Sequence, residues 1–308
     1  MSAVILELIP VFLLIVVGWG VRAANVVSAE AMGHVNRFGY FVLYPAFLFT
    51  LSSTADLSAG QAGPFIAGLL AGVAVLLTIS LSTRPLFGAE GGPAFTSFVQ
   101  GSVRWNGFML LAAAATLYGP EGPHMIGIAF GPLVLVVNAV CVVVLARWGA
   151  TRAASFRALL DQIIANPLIL GCAAGLLAQL FRIRDLGPLS VGIDLLGQAA
   201  MPIALVCVGA GLDFRALRAA RVKVLSASAV KLLIAPVVMW TTATLCGASP
   251  LTAAIAAGVG STPTAAAGYT LAREMGGDAQ LMAAIITAST LLSFITMPIA
   301  IGIALSLT

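Results

Sequence analysis

The sequence predicts an all-α polytopic membrane protein of about ten transmembrane helices, built from two inverted repeats of five helices each. Composition is the first observation: 60% of the 308 residues are hydrophobic, 8% are charged, and the mean hydropathy is +1.08. A water-soluble chain of this length needs far more charge. The second observation is a set of prolines that recurs 157 positions later (167 minus 10). The pairs are Pro10 with Pro167, Pro45 with Pro202, and Pro93 with Pro250.

The proline offset indicates an internal duplication. The same offset joins Gly18 with Gly175, Gly101 with Gly258 and Gly119 with Gly276, although glycine is common here and these pairs alone are weak evidence. Each unit holds about five membrane-length apolar stretches, and an odd number inserts the second unit upside down, as in many secondary transporters. We therefore expect residues 1–150 to form the first repeat, 151–161 a link, and 162–308 the inverted second repeat.

Ten spans follow from the apolar stretches at about 20 residues per membrane helix. They are expected at 4–22, 35–53, 61–82, 94–117, 124–147, 162–181, 189–211, 220–245, 249–272 and 279–305. The chain begins MSAVILELIP, with an acidic residue and no basic residue before the apolar stretch. This start is not typical of a cleaved signal peptide, so the first stretch is interpreted as span 1.

The basic residues between the spans predict the orientation, because cytoplasmic loops are enriched in Lys and Arg. One side carries only Arg182 and Arg184. The other carries Arg22, Arg37, Arg84, Arg147, Arg152, Arg157, Arg215, Arg218, Arg221, Lys223 and Arg273. This distribution predicts that both termini lie outside and that the link TRAASFRALLD lies inside. The formal charge of +4 thus reflects topology, and no nucleic-acid partner is expected.

Span 4 contains the sequence QGSVRWNGF, which places Arg104, Asn106 and Gly107 in the middle of an apolar stretch. An arginine at this depth costs at least ~2.5 kcal/mol on insertion scales, so it needs a polar cavity, a partner or a ligand. The alternative is an arginine that snorkels or caps a broken helix.

Span 9 is disrupted at the equivalent point, since Pro263 follows Asn106 by the same 157 positions (263 minus 106). We expect Asn106 to cap a helix that restarts at Gly107, and Ser261 or Thr262 to cap one that restarts at Pro263. Two half-helix N-termini near the membrane centre attract an anion, and Arg104 adds a full charge. A kinked but continuous helix without a ligand is the alternative.

Other polar residues in or near the spans are few: Asn36, Asn138, Asn166, Asp194, Gln198 and Lys231. For Asn138 and Gln198, the sequence favours a packing hydrogen bond and a contact with a ligand equally. Lys231 is expected to pair with a carboxylate or to lie near the cytoplasmic interface, and a role in ion coupling is the less favoured alternative. Pro45 and Pro202 are interpreted as kinks. The four cysteines and two histidines form no metal-binding pattern, and no cofactor is predicted.

Several segments together resemble bacterial members of the auxin efflux carrier family, relatives of the plant PIN auxin exporters, nearly from end to end. The segments are NRFGYFVLYPAFLF (36–49), QGSVRWNGF (100–108), NPLILGCAAGLL (166–177), LGQAAMPIALVCVGAGLD (196–213) and the stretch from STPTAAAGYTLAREMGG to MPI (261–299). The resemblance implies a scaffold of helices 1, 2, 6 and 7 beside a transport domain of helices 3–5 and 8–10, with helices 4 and 9 crossing at their breaks. It also implies a location in the bacterial cytoplasmic membrane and carboxylate substrates, auxin-like or malate- and malonate-like. Plant exporters carry an acid and a lysine in the third helix, whereas span 3 here has no charged residue.

These observations favour a secondary transporter of a small organic anion that works by alternating access at the helix 4/9 crossover. The candidate substrate-binding residues are Arg104, Asn106, Gly107, Asn138, Gln198, Ser261, Thr262, Pro263 and Thr264. An anion channel or ligand-sensing receptor is the alternative, and an enzyme is disfavoured because no HExxH motif, intramembrane aspartate pair or Ser–His pair occurs. The substrate, the transport direction, the coupling ion and the oligomeric state, including a homodimer, stay open.

Overall fold

A computed structural model describes residues 2–54, 60–89, 91–150, 166–183, 187–218 and 221–308 of this protein. Within these ranges the chain is helical and has no strand. Six helical stretches are long and apolar enough to cross a membrane: Val4–Ala23, Ala62–Ser82, Glu121–Trp148, Pro188–Ala210, Arg221–Leu245 and Ala279–Leu305. The protein is therefore a multi-pass membrane protein. The predicted link 151–161 lies outside the described residues.

The α-helices are numbered here in chain order. They are α1 (Ser2–Ala23), α2 (Ala29–Phe38), α3 (Tyr44–Ser53), α4 (Ala62–Ser82), α5 (Gly92–Val103), α6 (Gly107–Tyr118), α7 (Glu121–Trp148), α8 (Pro167–Leu180), α9 (Pro188–Ala210), α10 (Arg221–Ala229), α11 (Ala235–Leu245), α12 (Pro250–Ser261), α13 (Ala267–Glu274) and α14 (Ala279–Leu305). The helical run at predicted span 2 begins at Ala29, six residues before the expected start, because Ser28 accepts the Ala31 N–H and caps it there.

Two π turns join consecutive helices, Gly39–Leu43 between α2 and α3 and Val230–Ile234 between α10 and α11. Each turn lies just before a proline, Pro45 in α3 and Pro236 in α11. Proline lacks an N–H and clashes with the carbonyl four residues earlier, so a wider turn relieves the clash while the chain stays helical. Pro45, predicted as a kink, therefore follows a π turn, whereas Pro202 lies inside the uninterrupted helix α9.

The helices pack in two groups. In one group, α1 packs on α9, α3 packs on α8, and α9 also contacts α3. In the other group, α11 packs between α4 and α12, α12 contacts α14, and both α5 and α6 contact α7. The buried apolar core runs through both groups.

Close helix contacts at glycine occur at equivalent places in the two halves. A Cβ on Gly18 of α1 would overlap the Val206 backbone of α9, and a Cβ on Gly175 of α8 would overlap the Phe49 backbone of α3. Gly175 follows Gly18 by 157 positions (175 minus 18), and Val206 follows Phe49 by the same number (206 minus 49). Small residues let membrane helices approach closely, so both contacts depend on glycine.

Candidate functional site

The first helix break lies between α5 and α6. Helix α5 ends at Val103, and Arg104 has an extended backbone with φ −72° and ψ 143°. The predicted cap is present, since the Asn106 side-chain oxygen accepts the Met109 N–H at 3.4 Å and α6 begins at Gly107. Arg104, Asn106 and Gly107 are all buried, so the polar groups of this break lie inside the protein.

The second break lies between α12 and α13, and it is longer than expected. The predicted restart at Pro263 is wrong, because α13 begins only at Ala267 and has no side-chain cap. Ser261 and Thr262 cap nothing downstream; their hydroxyls donate to the carbonyls of Gly258 at 2.8 Å and Val259 at 2.9 Å. Hydroxyls at a helix end readily donate a hydrogen bond to a carbonyl of the preceding turn. Here these local bonds form, and the two hydroxyls do not cap a new helix.

The two breaks touch each other through the backbone. The N–H of Asn106 donates to the carbonyl of Pro263 at 3.0 Å. Nearby, the Thr264 hydroxyl donates to the Gly101 carbonyl at 2.6 Å, and the Thr264 N–H donates to the Ser289 hydroxyl oxygen at 3.2 Å. The contact therefore joins the positions that the 157-residue offset makes equivalent. A symmetric partner bond cannot form, since proline has no N–H.

Several backbone N–H groups at the breaks are free to bind a ligand. In the part of the chain that the structure describes, the amides of Gly107, Phe108 and residues 265–267 donate no hydrogen bond. Ala266 and Ala267 are exposed, whereas Gly107 is buried and Phe108 is half-buried. The next two amides, of Gly268 and Tyr269, close tight turns onto carbonyls three residues back and are not available. Unpaired amides at a helix N-terminus are suited to an anion.

Arg104 points from the first break toward α13. Its guanidinium donates to the Asn138 side-chain oxygen at 2.9 Å and to the Gln100 side-chain oxygen at 3.2 Å. A Cβ on Gly268 would lie 3.2 Å from Arg104 Cδ, so the side chain packs against the first turn of α13. Arg104 is only 5% exposed, and no carboxylate among the described residues forms an ion pair with it. Its charge is thus oriented by neutral partners and left available to a ligand.

The other candidate residues differ in how close they come to the breaks. Asn138 is half-buried and bonds Arg104, and Thr264 joins the two breaks. Gly107 has no room for a side chain, because a Cβ there would overlap the rings of Phe130 and Trp105. Gln198 is exposed on α9, and among the described residues it makes no hydrogen bond.

Sequence reasoning missed two residues at this site. Gln100 lies one helical turn before Arg104 and bonds it, which the four-residue spacing of two polar residues in an apolar span could have indicated. Ser289, which lies on α14, accepts a hydrogen bond from the Thr264 N–H. No local sequence signal connects Ser289 to the breaks.

The sequence was also compared with known proteins. Residues 138–301, more than half of the chain, match the profile of a family described as membrane transport protein. A relative from Rhizobium meliloti (strain 1021), named "Putative malonate transporter", is 27% identical over 296 residues, which cover 94% of this chain and 92% of the relative. Both matches indicate a transporter rather than an enzyme.

Proposed function

Because this chain belongs to the auxin efflux carrier family of membrane transport proteins, we propose that it is a secondary transporter that moves a small organic anion by alternating access. The observation that carries the proposal is the bond from the Asn106 N–H to the Pro263 carbonyl, with Arg104 beside it. Secondary transporters bind their substrates where broken helices meet near the membrane centre.

The substrate site lies at these two breaks. A carboxylate is recognised there by the Arg104 guanidinium and by the free amides of Gly107, Phe108 and residues 265–267. A charge-assisted hydrogen bond of this kind contributes about 1.5–3 kcal/mol. Asn138 holds the guanidinium in place, while Thr264 fixes the second break against α5.

The fold behind this site consists of ten spans in two inverted repeats, in which α5–α6 and α12–α13 are the broken spans 4 and 9. Three contacts support the repeat: the equivalent glycine contacts of α1 with α9 and of α8 with α3, and the contact of Asn106 with its own equivalent, Pro263. Helices α1, α2–α3, α8 and α9 form the scaffold, and the remaining helices form the transport domain. The distribution of Lys and Arg supports insertion in the bacterial cytoplasmic membrane with both termini outside.

Malonate is the first substrate to test, since the relative from Rhizobium meliloti bears that name. The experiment is uptake of labelled malonate into proteoliposomes that contain the purified protein, with protein-free liposomes as the blank. Uptake should saturate with concentration, be inhibited by other small carboxylates, and be accelerated by unlabelled malonate on the opposite side. Non-saturable flux would favour an anion channel, and saturable binding without flux would favour a receptor.

Arg104→Gln tests the site within the same assay. We expect apparent malonate affinity to fall about 10- to 100-fold, since the substitution removes a charge-assisted bond but keeps a hydrogen-bonding side chain. Arg182→Gln is the matched control, because Arg182 is exposed and lies outside the helix breaks. Unchanged affinity in Arg104→Gln would make Arg104 a structural residue.

A further inference from the structure

Lys231 is a buried lysine that the proposed substrate site does not use. It lies in the π turn Val230–Ile234, and its side chain is 2% exposed. No carboxylate in the described ranges forms an ion pair with it, and the sequence from 214 to 273 contains neither Asp nor Glu. Burying an unpaired charge in a membrane protein is costly, so such residues usually serve a function.

The ammonium of Lys231 lies at the C-terminal end of a half-helix. Its Nζ donates to the carbonyl of Gly260 at 2.6 Å, and Gly260 is the penultimate residue of α12. The last carbonyls of a helix have no partner within the helix and carry partial negative charge, which favours a cation. Pro263, at the contact of the two breaks, follows Gly260 by three residues. In transporters with broken helices, such half-helix C-terminal ends bind the coupling cation.

The surroundings of Lys231 are polar but contain no carboxylate. The π turn packs against α5, α12 and α14. These helices and α10 hold three buried polar atoms without a partner among the described residues: the hydroxyl oxygens of Ser228 and Thr290 and the side-chain nitrogen of Gln100. Ser228 lies three residues before Lys231 on α10. The α12 end is pressed against α11, since a Cβ on Gly260 would lie 2.6 Å from the Ala235 carbonyl oxygen.

We propose that Lys231 is a built-in cation that occupies the position of a coupling ion at the end of α12, so that the transport cycle needs no bound sodium ion. The role in transport rests on the proposed function, whereas the cation site itself does not. It follows that shortening the side chain leaves a vacant site for a small external cation.

Thermal unfolding of the purified full-length protein tests the cation site without any substrate. Lys231→Ala removes three carbons and the ammonium, which n-propylammonium replaces; Lys231→Met fills the same space without the charge. We expect n-propylammonium to raise the melting temperature of Lys231→Ala with saturation, as a ligand of the folded state does. Choline at equal ionic strength should not raise the melting temperature of this variant. Wild type and Lys231→Met should show no saturable response to either salt.

Malonate uptake tests the transport role. Wild-type uptake should be the same in sodium and choline buffers, and Lys231→Ala uptake should fall at least about tenfold and recover partly with n-propylammonium. If Lys231→Ala cannot be extracted from the membrane in a folded state, Lys231→Arg is compared with Lys231→Met instead. Only the arginine variant should keep the stability and the malonate uptake of the wild type.

Three results would overturn the proposal: sodium-dependent wild-type uptake, equal responses of Lys231→Ala and Lys231→Met to n-propylammonium, or equal behaviour of the arginine and methionine variants. Absent wild-type uptake of malonate would count against the proposed function, and the unfolding experiment would then decide the cation site alone.

Discussion

At the residue scale, the proposed substrate site depends on how Arg104 is oriented. A guanidinium needs hydrogen-bond acceptors when it leaves water, and Arg104 finds them in the neutral amides of Gln100 and Asn138. One carboxylate partner would have cancelled the charge, and two would have given the site a net negative charge that repels an anion. Neutral acceptors satisfy the N–H groups and leave the positive charge for the anion that we propose as substrate.

Asn138→Leu should weaken malonate binding by less than Arg104→Gln does. The substitution removes one acceptor of the guanidinium but not the charge, so we expect a loss of about 3- to 10-fold in affinity. Binding to the detergent-solubilised protein measures the effect. Asn36→Leu is the matched control, because Asn36 is exposed and bonds Tyr44 rather than Arg104.

The double variant Arg104→Gln with Asn138→Leu tests whether Asn138 affects binding only by holding the Arg104 guanidinium. If Asn138 acts through Arg104, the two losses are not additive, and Asn138→Leu has little further effect once the guanidinium is gone. Fully additive losses would mean that Asn138 contacts the substrate itself.

At the element scale, Pro263 determines how span 9 is interrupted. It contributes a carbonyl to the contact with Asn106 but no N–H, and the helix does not restart until Ala267. The residues between α12 and α13 thus leave amide groups unpaired, which a continuous helix would consume.

Pro263→Ala should lower transport more than it lowers stability. The new N–H allows the helix to extend through the break, which gains a backbone bond of about 1 kcal/mol but removes amides from the proposed anion site. Malonate uptake and the melting temperature are measured together. Pro298→Ala is the control, because Pro298 is buried inside the uninterrupted helix α14. Equal uptake in both variants would show that the break does not bind the substrate.

Gly175→Ala and Gly18→Ala should destabilise the protein to a similar extent. Each Cβ would overlap the backbone of a neighbouring helix, and overpacking of this kind costs about 1–3 kcal/mol. Gly20→Ala is the control, since a Cβ there meets no atom within 4 Å. Melting temperatures provide the comparison. A large loss in only one of the two contacts would argue against equivalent repeats.

At the scale of the whole molecule, the distribution of basic residues predicts the orientation in the membrane. Cys246, which follows α11, is exposed and falls on the predicted outer side. Ser155 lies in the basic link, on the predicted inner side.

An impermeant thiol reagent added to intact cells should label native Cys246. It should not label a cysteine introduced by Ser155→Cys on a Cys246→Ser background until the membrane is permeabilised. The readout is a mass shift of the purified protein. Labelling of the Ser155→Cys variant from outside would reverse the proposed topology.

The sequence by itself determined the membrane environment, the approximate helix positions, and the interruption of spans 4 and 9. These features depend on local chemistry: apolar composition over about 20 residues, an arginine and an asparagine inside an apolar stretch, and a proline without an N–H. The Asn106 cap was likewise predictable, because a cap bonds an amide three residues away.

Only the tertiary structure decided which groups meet. The bonds of Asn106 with Pro263, of Thr264 with Gly101, and of Lys231 with Gly260 join residues far apart in the chain. Membrane helices are apolar on every side, and no hydrophobic force distinguishes the face that meets protein from the face that meets lipid. Helix periodicity therefore says little about neighbours here, and the partners are set by close packing at glycine and by buried hydrogen bonds.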